Sequence, residues 1–561
     1  MNKSKTRGFA PQSEWNKVNW RKLEITLFKL QKRIYRASQR GDVRVVRKLQ
    51  KTLMKSWTAK MIAVRRVTQE NKGKKTAGID GVKALTNKQR LILVANLKVS
   101  KKAQPTRRVW IPKPGRTEKR PLGIPTMYDR ALQALAKQAL EPEWEAKFEP
   151  NSYGFRPGRS CHDAIEAIFN SINRMPKWVL DADIAKCFEK INHDALLEKL
   201  NTYPSMRGLI KSWLKAGVMD KGTFSFTNEG TPQGGVISPL LANIALHGME
   251  KRIKQFAESL KGSKRDNKKA LNLIRYADDF VIMHKDHYVV EECQEVINKW
   301  LKDMSLELKP SKTRITHTYH GFDFLGFNIR HYQVGKHQSK QGFKTIIKPS
   351  KEKVLEHHKQ LSKVIDQHKA APQDALIRHL KPIIRGWCNY YSSVCSKEVY
   401  SKLDSMLWNK LQRWGYRRHH NKSKAWVTSK YWGTIGEDNW IFMTNKENYL
   451  PKHAKTGIIR HKKVKEARSP YDGDLIYWNN RMSKHPERTS QKGRLLKRQK
   501  GKCAHCGLTF RDGDLLEKHH IVPRALGGSD LDKNLELLHL HCHDKKHGTK
   551  INSSELDKNP F

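Results

Sequence analysis

The sequence predicts a multidomain α+β protein, and three observations carry that expectation. Its 561 residues exceed what one ordinary hydrophobic core serves, so roughly three to five domains are expected. From about 105 to 345, helical and strand-like patterns alternate, and from about 350 to 445 the pattern is helical and rich in aromatics. Beyond about 500, cysteines and histidines gather into a compact unit.

In chain order, residues 15–70 read as two amphipathic basic helices, WRKLEITLFKLQKRIYRASQRGD and VRVVRKLQKTLMKSWTAKMIAVRRV, joined at Gly41. Strands punctuated by Pro and Gly begin near 105 with RRVWIPKPGRTEKRPLGIP. In the helical block, Leu403, Leu407, Leu411 and Trp414 recur at helical spacing and read as core, while Arg413, Arg417, Arg418 and Lys422 read as candidates for RNA contact. Residues 446–500 hold few apolar runs and many basic ones, as in RHKKVKEAR, and read as a separate basic module or linker. No internal repeat is present.

Charge narrows the partners. Lys and Arg number 110 against 54 Asp and Glu, a formal net charge of +56. Such an excess invites a polyanion, and nucleic acid is the better reading, with strongly salt-dependent binding. No run of eighteen apolar residues exists, so no membrane partner is expected. The start, MNKSKTRGFAPQSEW, is basic without an apolar stretch, so it does not read as a secretory signal. Five of the eight cysteines are scattered and read as reduced thiols; Cys503, Cys506 and Cys542 cluster in a way that suggests metal over disulfides.

RYADDF sets Asp278 and Asp279 side by side between apolar runs. On a regular strand they would face opposite ways; at the tip of a tight hairpin both can serve one site. Alone the motif fits a solvated turn equally well. A partner appears in WVLDADIAKCF: on a strand ending at Asp183, Asp181 and Asp183 share one face while Leu180, Ala182 and Ile184 take the other. Phe188 follows at the start of a helix. Carboxylates converging from separate strands suit two divalent ions that clamp an attacking hydroxyl and a departing pyrophosphate. Between these motifs, GTPQGGVISPLLANIALHGM supplies a Gly-rich loop with Ser238 as N-cap and Pro239 as first helical residue.

With WIPKPGRTEKRPLGIP, NSYGFRPGRS, LELKPSKTRI and FDFLGF in the same order, the chain resembles the reverse transcriptases encoded by group II introns over nearly its whole length. The resemblance implies a right-hand polymerase fold of fingers, palm and thumb. It implies Asp183, Asp278 and Asp279 as ligands of two Mg2+ ions, Phe188 as the residue sensing the sugar 2′ position, and Gln233 as a contact to the incoming dNTP. Lys113 and Arg120 match the basic finger residues that hold the triphosphate, and Lys312 the lysine near the pyrophosphate; solvated surface charge is the competing reading for each. The block 382–423 resembles the thumb or maturase domain, and the basic segment with SPYDGDLIYW and Arg481 resembles the family's DNA-binding region.

The tail carries a CxxC arm, Cys503 and Cys506, and an HxxC arm, His539 and Cys542, which suit a closed structural Zn2+ site. The remaining Glu517, His519, His520, Asn534, His543 and His547 resemble the HNH nucleases, whose ββα fold presents one divalent metal, such as Mg2+, to a DNA phosphate. By that match His520 is the general base, His519 and His543 are metal ligands with His547 as a further candidate, Asn534 orients the base and Glu517 supports it.

The expected domains are an N-terminal basic helical extension (1–90), fingers and palm (91–345), thumb or maturase (346–445), a basic DNA-binding region (446–495) and an HNH domain with zinc (496–561). The expected function is intron splicing, DNA nicking and reverse transcription in a ribonucleoprotein with the intron RNA, acting on target DNA. The expected place is the bacterial cytoplasm or an organelle of bacterial descent. One rival is an RNA-binding splicing factor with a relic polymerase site. Buried acids without metal cost stability, and the intact trio argues against it. A homing nuclease with an RNA-binding body would leave the polymerase motifs unexplained.

Overall fold

The structure is a computed structural model that describes residues 13–99, 102–112, 118–486, 490–510 and 514–547. Its centre is a four-stranded sheet in the order Asn272–Tyr276, Asp279–His284, Trp178–Asp183, Arg314–His317, antiparallel throughout. Alternation sends the two faces of this sheet into different cores. Leu180, Ala182, Leu273, Phe280 and Ile282 join one apolar cluster with the N-terminal helices and the helix Met127–Glu145. Val179, Ile274, Val281 and Met283 join a second with the helix Cys161–Ile172 and the thumb.

The fingers sheet runs Lys119–Ile124, Thr106–Pro112, Val218–Asp220, Thr223–Ser225. Three strands, Phe322–Phe324, Phe327–Gln333 and Phe343–Pro349, lead from palm to thumb. The thumb itself is built on Lys351–Gln367, Gln373–Tyr391 and Lys397–Arg418. Leu403, Leu407, Leu411 and Trp414 are all buried there, as their spacing predicts. The tail pairs Leu516–His520 with Leu535–His539 and continues into the helix Leu540–Lys546. Among the described residues no helix is long and apolar enough to cross a membrane.

Two expectations change. The second N-terminal helix is not continuous: Val43–Lys55 stops at Ser56, whose extended backbone and hydroxyl, accepting from Ala59 N at 3.4 Å, start a new helix at Trp57–Arg65. Nor do residues 446–500, which read as a separate basic module or linker, stand apart from the neighbouring cores. Leu450, Val464 and Trp478 belong to the palm–thumb core, and Met482, Leu495 and Leu496 to the core of the tail.

Candidate active sites of the palm and the tail

The RYADDF hairpin places its acids by register. Tyr276 pairs with Asp279, leaving Ala277 and Asp278 as a two-residue turn, and Asp279 stands opposite Asp183 on the neighbouring strand. Asp181, Asp183 and Asp279 therefore lie on one face, with Asp278 at the tip beside them. Ala277 takes φ 59°, a left-handed conformation favoured at the first position of a tight hairpin turn.

Arg275 fixes this turn from inside. Fully buried, it donates from Nη1 to Ala277 O (2.9 Å) and Asn243 Oδ1 (3.2 Å), and from Nη2 to Ser152 Oγ (2.7 Å). Burial pushes its guanidinium down to about 10. The NSYGF motif supplies the other wall, because Tyr153 N donates to Arg275 O and Asn243 Nδ2 to Gly154 O. A Cβ on Gly154 would stand 2.4 Å from Ala277 N, so only glycine lets the two segments meet.

The electrostatics at the hairpin call for cations. Burial raises Asp279 to about 7, with the charges of Asp278 and Asp183 adding to it. Burial, opposed by Arg314, raises Asp181 to about 6, and burial also raises Asp278. Lys312 answers part of that charge, its Nζ 2.6 Å from Asp183 Oδ2, and Arg314 Nη2 lies 3.4 Å from Asp181. An all-oxygen donor set carrying excess negative charge fits hard divalent ions. The carboxylate trio is not gathered as tightly as the tail clusters described below, which close to within 4.8 Å.

The other polymerase motifs abut this centre. The helix Cys187–Lys190 carries Phe188, whose ring meets Phe155 edge-on at 6.1 Å. Gly230, at φ 82°, brings the GTPQGG loop against the Phe188 and Glu189 carbonyls, and Thr231 N donates to Phe188 O (2.6 Å). Gln233 is tied to the fingers through its carbonyl, which accepts from Gly123 N at 2.7 Å. Arg120 is exposed on Lys119–Ile124 and near enough to Asp278 to stabilise its charge. Lys113 lies outside the described residues. The helix after the loop runs Ser238–Ala245 with Ile237 at its cap; Ser238 is already helical and makes no side-chain cap.

In the tail, one ligand atom each from Cys503, Cys506, His539 and Cys542 lies within 4.8 Å of the others. His539 Nδ1 stands 3.4 Å from Cys506 Sγ and 4.0 Å from Cys542 Sγ. A tetrahedral zinc with its usual bond lengths separates S and N by about 3.6 Å, so the donors fit it. The other ring nitrogen of His539 faces Asp514 at 3.4 Å, the outer partner a ligating histidine needs.

His519, His543 and His547 form a second group within 4.8 Å, with His519 Nδ1 2.9 Å from His547 Nε2. Burial holds His519 down to about 4 and lowers His543, while the Glu517 charge acts on His543 in the opposite sense. Three imidazoles gathered this closely suit a divalent metal. Asn534 makes no hydrogen bond to the His520 ring: its side chain bonds Val522 N (2.8 Å), Val522 O (3.0 Å) and Ser529 O (2.9 Å). The ring's partner is Asp530, at 2.7 Å, a residue no sequence motif singled out.

Two basic residues expected at nucleic acid are instead structural. Arg418 donates to Lys369 O and Ala371 O, both at 2.9 Å, which ties the end of Lys397–Arg418 to the loop between Lys351–Gln367 and Gln373–Tyr391. Arg481 grips the buried Asp163 at 2.8 and 3.1 Å and Lys462 O at 2.6 Å, and His461 joins the same carboxylate at 3.2 Å. These partners hold Asp163 far below the usual carboxylate range. Arg413, Arg417 and Lys422 are exposed.

A carboxylate-tipped hairpin facing a second acidic strand, flanked by fingers and thumb, defines a template-directed nucleic-acid polymerase. Comparison with known proteins agrees. Residues 111–329 match the family described as reverse transcriptase (RNA-dependent DNA polymerase), and 15–97 its N-terminal domain. Residues 354–432 match the group II intron maturase-specific domain and 503–549 the HNH endonuclease family.

The chain is 27% identical over 547 residues to the group II intron-encoded protein LtrA of Lactococcus lactis subsp. cremoris, covering 80% of this chain and 86% of that protein. It is 34% identical over 326 residues to protein YkfC of Escherichia coli, covering 51% and 84% respectively. Maturase-like protein 1 of Euglena gracilis is 26% identical over 327 residues, 55% of this chain and 64% of that one. The chain belongs to the group II intron-encoded reverse transcriptases, as a multifunctional protein that joins an RNA-directed DNA polymerase, a maturase domain and an HNH endonuclease.

Proposed function

We propose that the protein assembles with its intron RNA, promotes splicing, nicks target DNA through the tail and copies the intron from the nicked strand. The observation that carries the polymerase half is the register of Asp183 against Asp279 with Asp278 in the turn, a concentration of buried charge that cations relieve. Two divalent ions bound there would activate the 3′-hydroxyl of the primer and stabilise the leaving pyrophosphate. Around them, Lys312 balances Asp183 and stands ready for a phosphate oxygen, Arg120 draws the dNTP triphosphate toward the palm, and Phe188 lies beneath the sugar. Gln233 faces the incoming nucleotide from a loop whose backbone is locked to Gly123.

RNA would lie on two basic surfaces. Arg44, Lys48, Lys51 and Lys55 line one exposed face of Val43–Lys55, and Arg413, Arg417 and Lys422 extend the thumb. Such contacts hold phosphates without reading sequence. In the tail, the four Cys/His donors would hold Zn2+, and His519, His543 and His547 a divalent ion beside the scissile phosphate, with His520 taking the proton from the attacking water.

The test is primer extension on an RNA template with Mg2+. Asp278→Asn should abolish extension while RNA binding stays within about twofold, because only metal coordination is removed. Extension near the wild-type rate would sink the assignment.

A further inference from the structure

Resting on the nuclease reading of the tail, the structure assigns Asp530 as the positioning residue of His520, with Arg524 as its anchor. Backbone and ring of His520 are held separately. On the backbone side, Ile521 N donates to Asn534 O (2.9 Å), and the Asn534 side chain bonds both backbone groups of Val522. On the ring side, His520 Nε2 lies 2.7 Å from Asp530 Oδ1. Arg524 grips the same carboxylate, Nη2 at 2.7 and 2.6 Å from its two oxygens and Nε at 3.0 Å from Oδ1.

The loop is shaped for this contact. Gly527 takes φ 80°, and a Cβ on Gly528 would stand 1.9 Å from Val522 O, so the chain turns back tightly enough to bring Asp530 to His520.

A carboxylate held by a guanidinium is ionised and can only accept, so the 2.7 Å contact requires the imidazole proton on Nε2. Arg524 Nε also approaches that nitrogen, at 3.3 Å. A protonated Nε2 has no lone pair to offer it, so this approach is a neighbour's contact. In the neutral ring this sets the tautomer, with the lone pair that takes the water proton on Nδ1. A free imidazole would divide between tautomers and rotate; here both freedoms are removed.

The plain alternative is a surface ion pair. The Arg524 and Asp530 side chains are 68% and 64% exposed, and pairs so exposed add little stability. Removing Asp530 should therefore leave the fold intact and show its effect in the reaction.

The experiment uses the full-length protein with its intron RNA and a supercoiled plasmid carrying the DNA that flanks the intron, scored for nicked circles. His520→Ala must lose nicking; if it nicks like wild type, the nuclease reading falls and this assignment with it. Given that loss, Asp530→Ala should lower kcat by about 10–100-fold. KM for DNA, zinc content and thermal midpoint should be unchanged, and Asp530→Glu should recover most of the rate. Arg524→Ala, which spares the His520 contact, should lose less. Should Asp530→Ala unfold the tail, the isosteric Asp530→Asn stands in, with at least a tenfold loss of kcat expected. Wild-type kcat in the Ala or Asn variant, a loss confined to KM, or a Glu variant as defective as Ala in a folded tail would each overturn the assignment.

Discussion

Gly154→Ala adds one methyl group to a backbone contact at the catalytic hairpin that has no room for it. The new Cβ would meet Ala277 N at 2.4 Å and Ala277 Cα at 3.0 Å, where ordinary contact begins near 3.4 Å. The atom it meets is backbone, so no rotamer change relieves it. Gly154 cannot retreat freely either, because its carbonyl accepts from Asn243 and the preceding residue is bonded to Arg275. The turn must therefore move by about 1 Å, and Asp278 is the next residue along it. A misplacement of about 1 Å at a catalytic centre costs on the order of 10²-fold in rate. The overpacking itself costs about 1–3 kcal/mol, which shifts a melting midpoint by only a few degrees in a chain this long. Steady-state primer extension on an RNA template should show kcat about 100-fold down with the protein folded, zinc retained and DNA nicking unchanged. Extension within about threefold of wild type would refute the claim that this contact sets the position of the catalytic hairpin.

Two further predictions concern metal. Because Asp279 is raised to about 7, the folded protein keeps its proton where the unfolded chain has lost it. That stabilisation is complete below about pH 4 and is lost as pH rises through about 7. Melting scans in EDTA should show the midpoint falling between pH 5 and 8. Mg2+ should raise it more at pH 8 than at pH 5, and Asp279→Asn should flatten the trend; an unflattened trend contradicts the assignment. In the tail, Cys503→Ser should lose zinc and loosen the domain, whereas His520→Ala should keep zinc and stop nicking, with primer extension surviving both. Zinc content and nicking measured on the same preparations decide it, and zinc lost from His520→Ala but kept by Cys503→Ser would reverse the division of ligands.

Local patterns made much of the fold and the sites legible. The parity of WVLDAD placed Leu180, Ala182 and Ile184 in one core and left Asp181 and Asp183 on the other face, because strand alternation needs no tertiary knowledge. Helical spacing found the thumb core, ligand spacing found the Cys/His cluster, and the resemblance to the HNH nucleases pointed to the three histidines. What stayed hidden depends on distance along the chain. Arg481 reads as a phosphate contact until the fold brings it 318 positions back to Asp163. Charge composition likewise made residues 446–500 read as a separate basic module or linker, although Trp478 packs where Gly158 leaves room for its ring. Asp530 belongs to no spacing rule; only the closed 527–530 turn shows it beside His520.

One chain that carries splicing, nicking and copying as separable activities, handed from tail to palm, can lose one of them and keep the others. The most direct measurement gives the ribonucleoprotein duplex target DNA and follows spliced RNA, nicked DNA and cDNA together for wild type, Asp278→Asn and His520→Ala. All three should splice. Asp278→Asn should nick without making cDNA, and His520→Ala should make cDNA only when the target is supplied already nicked. Splicing lost in Asp278→Asn, or a pre-nicked target that fails to restore cDNA to His520→Ala, would contradict the account.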